Sequence, residues 1–427
     1  MIPRVGGRYW TGGAWALLTV GVALCATVVR TLVVARFLGP HELGLMAIAI
    51  LALGTLDAVS STGVDTALVS EPDDVESDLD PAFTVQAVRG VVVTAGLWAA
   101  APLVASLFNT AAAVPVIRSI GFVALIRGFA NPAVALLVRK LDFRRLFWWT
   151  LPETLVGLGL ALWLAPARHD VWALVIAVLG AQTVAAVMSY VMVPRRPRVE
   201  FRSERVRRLL RFGKWVSVSR TLTYFSVTAD AAVVGTVYGA GALGLYQFAC
   251  RIAELPVVTF TRAVARVVLP GFSERQGSPE RLRRAWWSVF RLVVVVSSVF
   301  AFAVLLFGDA VVARLVGSHW LPAVPPLRIL AVAMVFRAVV VVAGQLFDGV
   351  RQPRLTLRVN AVRLGVLLVA IGPLTWAFGT RGVAGSVLLA SLAAAALCLH
   401  LVSRLAPAVI TVDPAYEDDE PQRMSRF

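Results

Sequence analysis

Runs of about twenty consecutive apolar residues, separated by short polar breaks, set the pattern of this chain. They can be marked off at about 12–36, 42–64, 82–107, 114–138, 146–165 and 171–193, then 214–237, 242–269, 285–307, 322–347, 357–378 and 382–404. A helical run of that length crosses about 30 Å of hydrocarbon. The pattern therefore predicts an all-α integral membrane protein with twelve transmembrane helices. A basic break from Pro194 to Lys214 divides them into two sets of six. The expected organisation is an N-terminal lobe over 1–193, a cytoplasmic linker over 194–214, a C-terminal lobe over 215–405 and a tail over 406–427.

The two sets share a motif. Phe37 to Ala49 reads FLGPHELGLMAIA, and Val237 to Ala249 reads VYGAGALGLYQFA. Gly39, Leu43, Gly44, Leu45 and Ala49 recur at one constant separation as Gly239, Leu243, Gly244, Leu245 and Ala249. Gly13, Trp15 and Val34 recur upstream as Gly213, Trp215 and Val234. A glycine-bearing turn between apolar helices, repeated at half the chain length, predicts a duplicated bundle with pseudo-symmetric lobes. Gly239, Gly241 and Gly244 also spell G-x-G-x-x-G. That dinucleotide fingerprint needs a strand before it and a βαβ unit around it, and here apolar helical runs flank it on both sides.

Composition agrees with the pattern: 58% of residues are hydrophobic and 15% charged, against about 25% charged in soluble domains. The formal net charge of +16 could point to nucleic acid, but its placement points elsewhere. With the N-terminus inside, alternate connections carry 25 basic residues on the inner side and 4 on the outer. This bias predicts a multi-pass protein of the cytoplasmic membrane with both termini in the cytoplasm. The inner segment Glu71 to Asp80, EPDDVESDLD, is acidic. Carboxylates count little in the orientation rule, and the stretch reads as a solvated loop rather than the metal-binding D-x-D of sugar transferases. Ser203 to Arg211 reads either as a basic helix on the anionic inner leaflet or as an ordinary linker. Cys25, Cys250 and Cys398 fall singly within apolar runs and read as packing residues.

Six plus six helices, a basic middle linker and certain local motifs carry a resemblance. The residues are Phe37-Leu38-Gly39-Pro40-His41-Glu42-Leu43-Gly44-Leu45, then Asp230 followed by Gly239 and Leu243-Gly244-Leu245-Tyr246. Glu254-Leu255-Pro256 and Leu269-Pro270-Gly271-Phe272-Ser273 complete the set. With these the chain resembles the oligosaccharide and polysaccharide flippases of the MOP exporter superfamily, relatives of the MATE drug exporters. The resemblance spans the chain to about residue 405. It implies a V-shaped pair of six-helix lobes moving a lipid-linked glycan across the membrane.

Twelve arginines fall inside the expected spans: Arg30, Arg89, Arg118, Arg127, Arg220, Arg251, Arg262, Arg266, Arg291, Arg328, Arg337 and Arg363. A charge at a helix centre costs about 2.5–3.5 kcal/mol on insertion scales, so such residues line water, pair with carboxylates or snorkel to the interface. Arg89 with Arg291, and Arg127 with Arg337, occupy corresponding places in the two sets. Arg30 and Asp230 also correspond, with opposite charge. Arg127 and Arg337 lack a carboxylate four residues away on their own helices. The candidates for a cationic, diphosphate-binding cavity are Arg127, Arg337, Arg89, Arg291, Arg30, Arg220 and Arg251, because guanidinium forks onto phosphate oxygens. The competing reading is pairing with Asp57, Asp230, Glu153 or Glu254, the last being three residues from Arg251 on one helix face. Asp57, Asp230 and Glu254 are the candidate coupling or pairing carboxylates. His41 and Glu42 read as outer-gate contacts or as part of a solvated turn.

The functional expectation is a flippase for a polyprenyl-diphosphate-linked oligosaccharide feeding a surface polysaccharide, by alternating access. The alternative is a MATE-type drug or metabolite antiporter, which would want a cavity rich in carboxylates. A membrane polymerase or ligase would show a large outer loop, and the longest outer connection here is Gly308 to Leu321. No catalytic motif, metal-ligand spacing or cofactor fingerprint in its proper context is present. The expected partners are the lipid-linked glycan, membrane lipids and other polysaccharide-assembly proteins, with no nucleic acid.

Overall fold

The computed structural model describes residues 6–64, 68, 75–139, 142–193, 195–200, 203–273, 279–349 and 353–408, and among them there is no strand. In hydrocarbon a backbone must satisfy its own N–H and C=O groups, and a helix does so within one segment. The helices are α1 (Gly6–Phe37), α2 (Pro40–Val59), α3 (Val75–Leu107), α4 (Ala113–Gly128), α5 (Ala135–Arg139) and α6 (Phe143–Arg168). They continue as α7 (Val171–Met192), α8 (Ser203–Ser273), α9 (Pro279–Leu315), α10 (Val324–Gly349), α11 (Pro353–Phe378) and α12 (Thr380–Ala408). Ten stretches among the described residues are long and apolar enough to cross a membrane.

Two local features separate that count from the twelve expected runs. The run 114–138 is broken: α4 has 16 residues and ends before Asn131, whose side chain accepts the Ala133 N–H at 3.0 Å. Pro132 then starts a 3-10 turn, since proline has no N–H to extend the helix from before it. The runs 214–237 and 242–269, by contrast, share one element. At Gly239 (φ 78°, ψ −178°) α8 adopts a conformation open essentially to glycine alone, and there the chain folds back on itself. The Tyr246 hydroxyl donates to Asp230 Oδ2 at 2.7 Å, whereas a straight helix would hold these residues about 24 Å apart. Gly39, its partner in the repeat, is extended (φ −77°, ψ 167°) and imposes no such need.

The acidic segment differs from expectation as well. α3 begins at Val75, within the supposed solvated loop, and Asp78 is buried. Asp80 fastens the linker: Oδ1 accepts the Arg198 N–H at 3.0 Å, and Oδ2 lies 3.8 Å from the Arg195 guanidinium. Thr84 Oγ1 accepts the Glu200 N–H at 2.8 Å, and Asn131 Nδ2 donates to the Arg195 carbonyl at 2.8 Å. Linker residues 195–200 thus run along the start of α3, and α8 begins directly after, at Ser203. The tail from residue 409 lies outside the described residues.

Packing follows the two sets. α1 lies on α6, α3 on α4 and α6 on α7; further along, α9 lies on α10, and α12 on both α10 and α11. α2 against α8 is the most extensive contact of all and joins the sets. Along it Thr221 Oγ1 donates to the Ala58 carbonyl and the Tyr224 hydroxyl to the Leu51 carbonyl, and Ser217 bonds the Ser61 carbonyl. The repeated positions Val34 and Val234, Gly44 and Gly244, and Ala49 and Ala249 are buried in both copies. At the α1–α2 turn, Trp320 donates from Nε1 to the Ala35 carbonyl at 2.6 Å and packs on Phe248.

Candidate functional site

The intramembrane charges sort by whether a neighbouring helix answers them. Arg89 on α3 meets Asp57 on α2 at 2.7 Å and donates from Nε to the Ser60 carbonyl at 3.0 Å. Arg127, at the end of α4, stands 3.7 Å from the other Asp57 oxygen. Its Nε donates to Gln182 Oε1 on α7 at 2.7 Å, and Gln182 Nε2 donates in turn to Glu153 Oε1 on α6 at 2.9 Å. Two arginines and two carboxylates are joined through one amide, a cluster without formal net charge.

A second balanced set lies among α8, α10 and α11. Arg337 on α10 donates to Glu254 Oε1 at 2.7 Å. Arg363 on α11 is buried and lies in the fields of Asp230, Glu254 and Arg337. Asp230, also buried, accepts the Tyr246 hydroxyl. Arg127 and Arg337 correspond between the halves, and at the same separation so do Glu153 and Arg363.

Arg127 and Arg337 thus follow the competing reading, pairing with carboxylates. Each is reached by a carboxylate from another helix, which a search along its own helix could not reveal. Arg251 and Glu254 do not pair, because Glu254 turns to Arg337 instead. Arg89 and Arg291 have unlike surroundings: Arg291 is exposed and, among the described residues, bonds the Trp287 carbonyl one turn back. Arg328 pairs with Asp309 at 2.6 Å, and Arg220 is engaged by another residue. The side chains of Arg262 and Arg266 lie outside the described residues. Asp230 does not mirror Arg30 in its surroundings, since Asp230 is buried within its own half.

Arg30 and Arg251 remain. Neither has a hydrogen bond or ion pair among the described residues, and they line one cavity of about 90 Å³ between α1, α2, α7 and α8. Thr31, Met46, Gln247 and Phe248 share its wall, and the two guanidiniums feel each other's charge. Arg251 also feels Glu254 on its own helix, but no carboxylate lines the cavity, and two like charges there make a positive potential suited to an anion.

Glu42 has a defined task beside this cavity. Its carboxylate accepts the Val171 N–H at 3.1 Å, and Asp170 accepts the Ala173 N–H at 3.3 Å. Both anions sit at the positive end of the α7 dipole and fix α7 against the α1–α2 turn. Sequence reasoning missed Gln182 and Gln247. An amide within a strongly apolar run, as Gln182 is in α7, was the signal available. No group of three or more His, Cys, Asp or Glu residues able to hold a metal occurs among the described residues.

A family model described as "Polysaccharide biosynthesis protein" matches residues 33–325. The chain is 21% identical over 367 residues to the lipopolysaccharide biosynthesis protein WzxC of Escherichia coli (strain K12), covering 84% of this chain and 74% of that protein. It is 24% identical over 334 residues to the succinoglycan biosynthesis transport protein ExoT of Rhizobium meliloti (strain 1021), covering 78% and 68% respectively. Among solved structures it resembles the lipid II flippase MurJ in an inward closed conformation, with a TM-score of 0.76 at 13% identity over 92% of this chain and 87% of that one. It also resembles an inward-facing multidrug resistance MATE family transporter of the MOP superfamily, with a TM-score of 0.70 at 18% identity over 93% and 99%. At these identities the structural likeness establishes the fold alone.

Proposed function

Because the chain belongs to the polysaccharide biosynthesis protein family, we propose that it flips a polyprenyl-diphosphate-linked oligosaccharide across the cytoplasmic membrane for assembly of a surface polysaccharide. The observation that carries this reading is the Arg30–Arg251 cavity, where two guanidiniums without a hydrogen bond or ion pair among the described residues offer bidentate donors to one diphosphate. The glycan and the lipid tail would follow the head group without sequence-specific contacts at this point. The helices that line the cavity would part to admit the head group from one side and release it to the other. α1, α2 and α7 would move against the second limb of α8, in alternating access.

The architecture that goes with this reading is two six-helix lobes, 1–193 and 215–405, joined by the linker 194–214, with both termini and the tail 406–427 in the cytoplasm. α4 and the two limbs of α8 supply the spans that bring the total to twelve. The chain acts as a carrier rather than an enzyme, and other polysaccharide-assembly proteins are its expected neighbours. The likeness to MATE transporters gives the antiporter alternative no separate support. Asp57 and Glu254 are held by arginines and Asp230 is bonded to Tyr246, which leaves none of the three lining the cavity for a cationic cargo.

The test is Arg30→Gln and Arg251→Gln in cells that make the polysaccharide. Loss of surface glycan, with the lipid-linked precursor accumulating on the inner leaflet at unchanged protein level, supports the reading. Normal export by both variants overturns it.

A further inference from the structure

Arg118 also has neither a hydrogen bond nor an ion pair to its guanidinium among the described residues, and it sits on a different face of the molecule. On α4 the residues Val116, Ile117, Ile120, Val123 and Ala124 are buried against the bundle, whereas Pro115, Arg118 and Phe122 are exposed at helical spacing. Trp98 and Leu103 of α3 are exposed beside them. This stripe faces away from the neighbours of α4, onto the lipid. Between α3 and α4 it forms an open groove of about 430 Å³ lined by Trp98, Val114, Pro115, Arg118, Ser119 and Phe122.

Side-chain contacts join the two walls of the groove. Trp98 Nε1 donates to the Arg118 carbonyl at 3.0 Å, which fixes the indole across the two helices. The Phe122 ring meets it edge-on at a centroid distance of 5.6 Å. Arg118 stands five residues inside the start of α4, about 7.5 Å below the helix end. From there an arginine reaches the level of lipid phosphates, while aromatic rings favour the boundary just beneath them. An arginine among apolar neighbours at that depth, with no ion pair to a carboxylate among the described residues, calls for an anion from the bilayer.

We propose that the Arg118 groove is a binding site for one anionic glycerophospholipid. Its phosphodiester lies against the guanidinium and its first acyl carbons against Trp98 and Phe122. The site is distinct from the Arg30–Arg251 cavity, which α1, α2, α7 and α8 enclose. Bound lipid packs the open seam between α3 and α4 at the membrane face that carries the Gly39 and Gly239 turns.

The experiment is native mass spectrometry of the purified full-length protein titrated with dioleoyl-phosphatidylglycerol and, separately, dioleoyl-phosphatidylcholine. The wild type should retain one phosphatidylglycerol in preference to phosphatidylcholine. Arg118→Gln should weaken that binding about fivefold, as loss of one basic contact implies, and Arg118→Lys should keep part of it. Ser119→Trp fills the groove while leaving the charge, and should weaken binding as well. This second variant decides the matter where Arg118→Gln is poorly folded by its melting curve. Equal retention of the two lipids by the wild type, or undiminished phosphatidylglycerol binding in both Arg118→Gln and Ser119→Trp, overturns the proposal.

Discussion

Gly44 and Gly244 pack against each other's turns reciprocally. A β-carbon on Gly44 would fall inside the backbone carbonyl of Ala240, and one on Gly244 would fall inside the carbonyl of Pro40. Ala240 follows Gly239 as Pro40 follows Gly39, so each copy of the motif makes the same contact with the other. The duplicated motif is thus a contact between the repeats as well as a turn within each.

Either Gly44→Ala or Gly244→Ala should force α2 and the second limb of α8 apart where they cross. The clash is with backbone, which cannot turn aside as a flexible side chain can. Export should fall sharply in each single variant, and the double variant should be little worse, because one interface is lost in all three. Surface glycan measured against protein level checks this. Wild-type export by both single variants would mean that the crossing is loose.

The turn glycines themselves should differ. Gly239 holds φ 78°, ψ −178°, and Gly39 holds an extended conformation with open space around its β-position. Gly239→Ala should cost about 1–3 kcal/mol of stability, and Gly39→Ala almost none. Thermal unfolding in detergent distinguishes the two outcomes, and equal melting shifts would refute the assignment.

Much of this was legible in the sequence, and the limits have physical causes. Apolar runs report helices reliably because the bilayer leaves the backbone no alternative, and the repeat marked the two glycine turns, though not that they pack on each other. Charges were harder. Arg127 is answered from α2 and α7, and Arg337 from α8, far away along the chain. Partners that lie across helices leave no periodic trace. Breaks made by single residues, such as Asn131 and Pro132 after α4, are likewise invisible to hydropathy.

The two charge clusters should behave as pairs. Removing one member of Arg337–Glu254 leaves the other without its charged hydrogen bond, a loss of about 1.5–3 kcal/mol. Arg337→Gln and Glu254→Gln should each lower the melting temperature, and the double substitution should recover part of the loss. Strict additivity in that cycle would show the pair to be uncoupled.

The proposed orientation can be read by labelling. Val199 is exposed in the linker, and Ser318 is exposed at the turn after α9. In intact cells a cysteine at Ser318 should react with an impermeant maleimide, and one at Val199 only after permeabilisation. The reverse pattern would invert the topology and with it the direction of transport.

The cavity arginines and the paired arginines should part company in one comparison. Arg30 and Arg251 come from the two halves yet line one cavity without a carboxylate, so their removal should cost transport and spare the fold. Arg127 and Arg337 are held by carboxylates and an amide, so their removal should cost folding first. Glutamine at Arg30 or Arg251 should therefore leave melting nearly unchanged while export per molecule collapses. Lysine there should restore part of it, keeping the charge without the bidentate fork. Because both guanidiniums serve one anion, the Arg30→Gln/Arg251→Gln double variant should fall little below either single variant. At Arg127 and Arg337 the loss of export should instead track the loss of folded protein. If export per folded molecule fell at Arg127 and Arg337 and held at Arg30 and Arg251, the head-group site would belong with the paired arginines, and the small cavity would be a packing defect between halves.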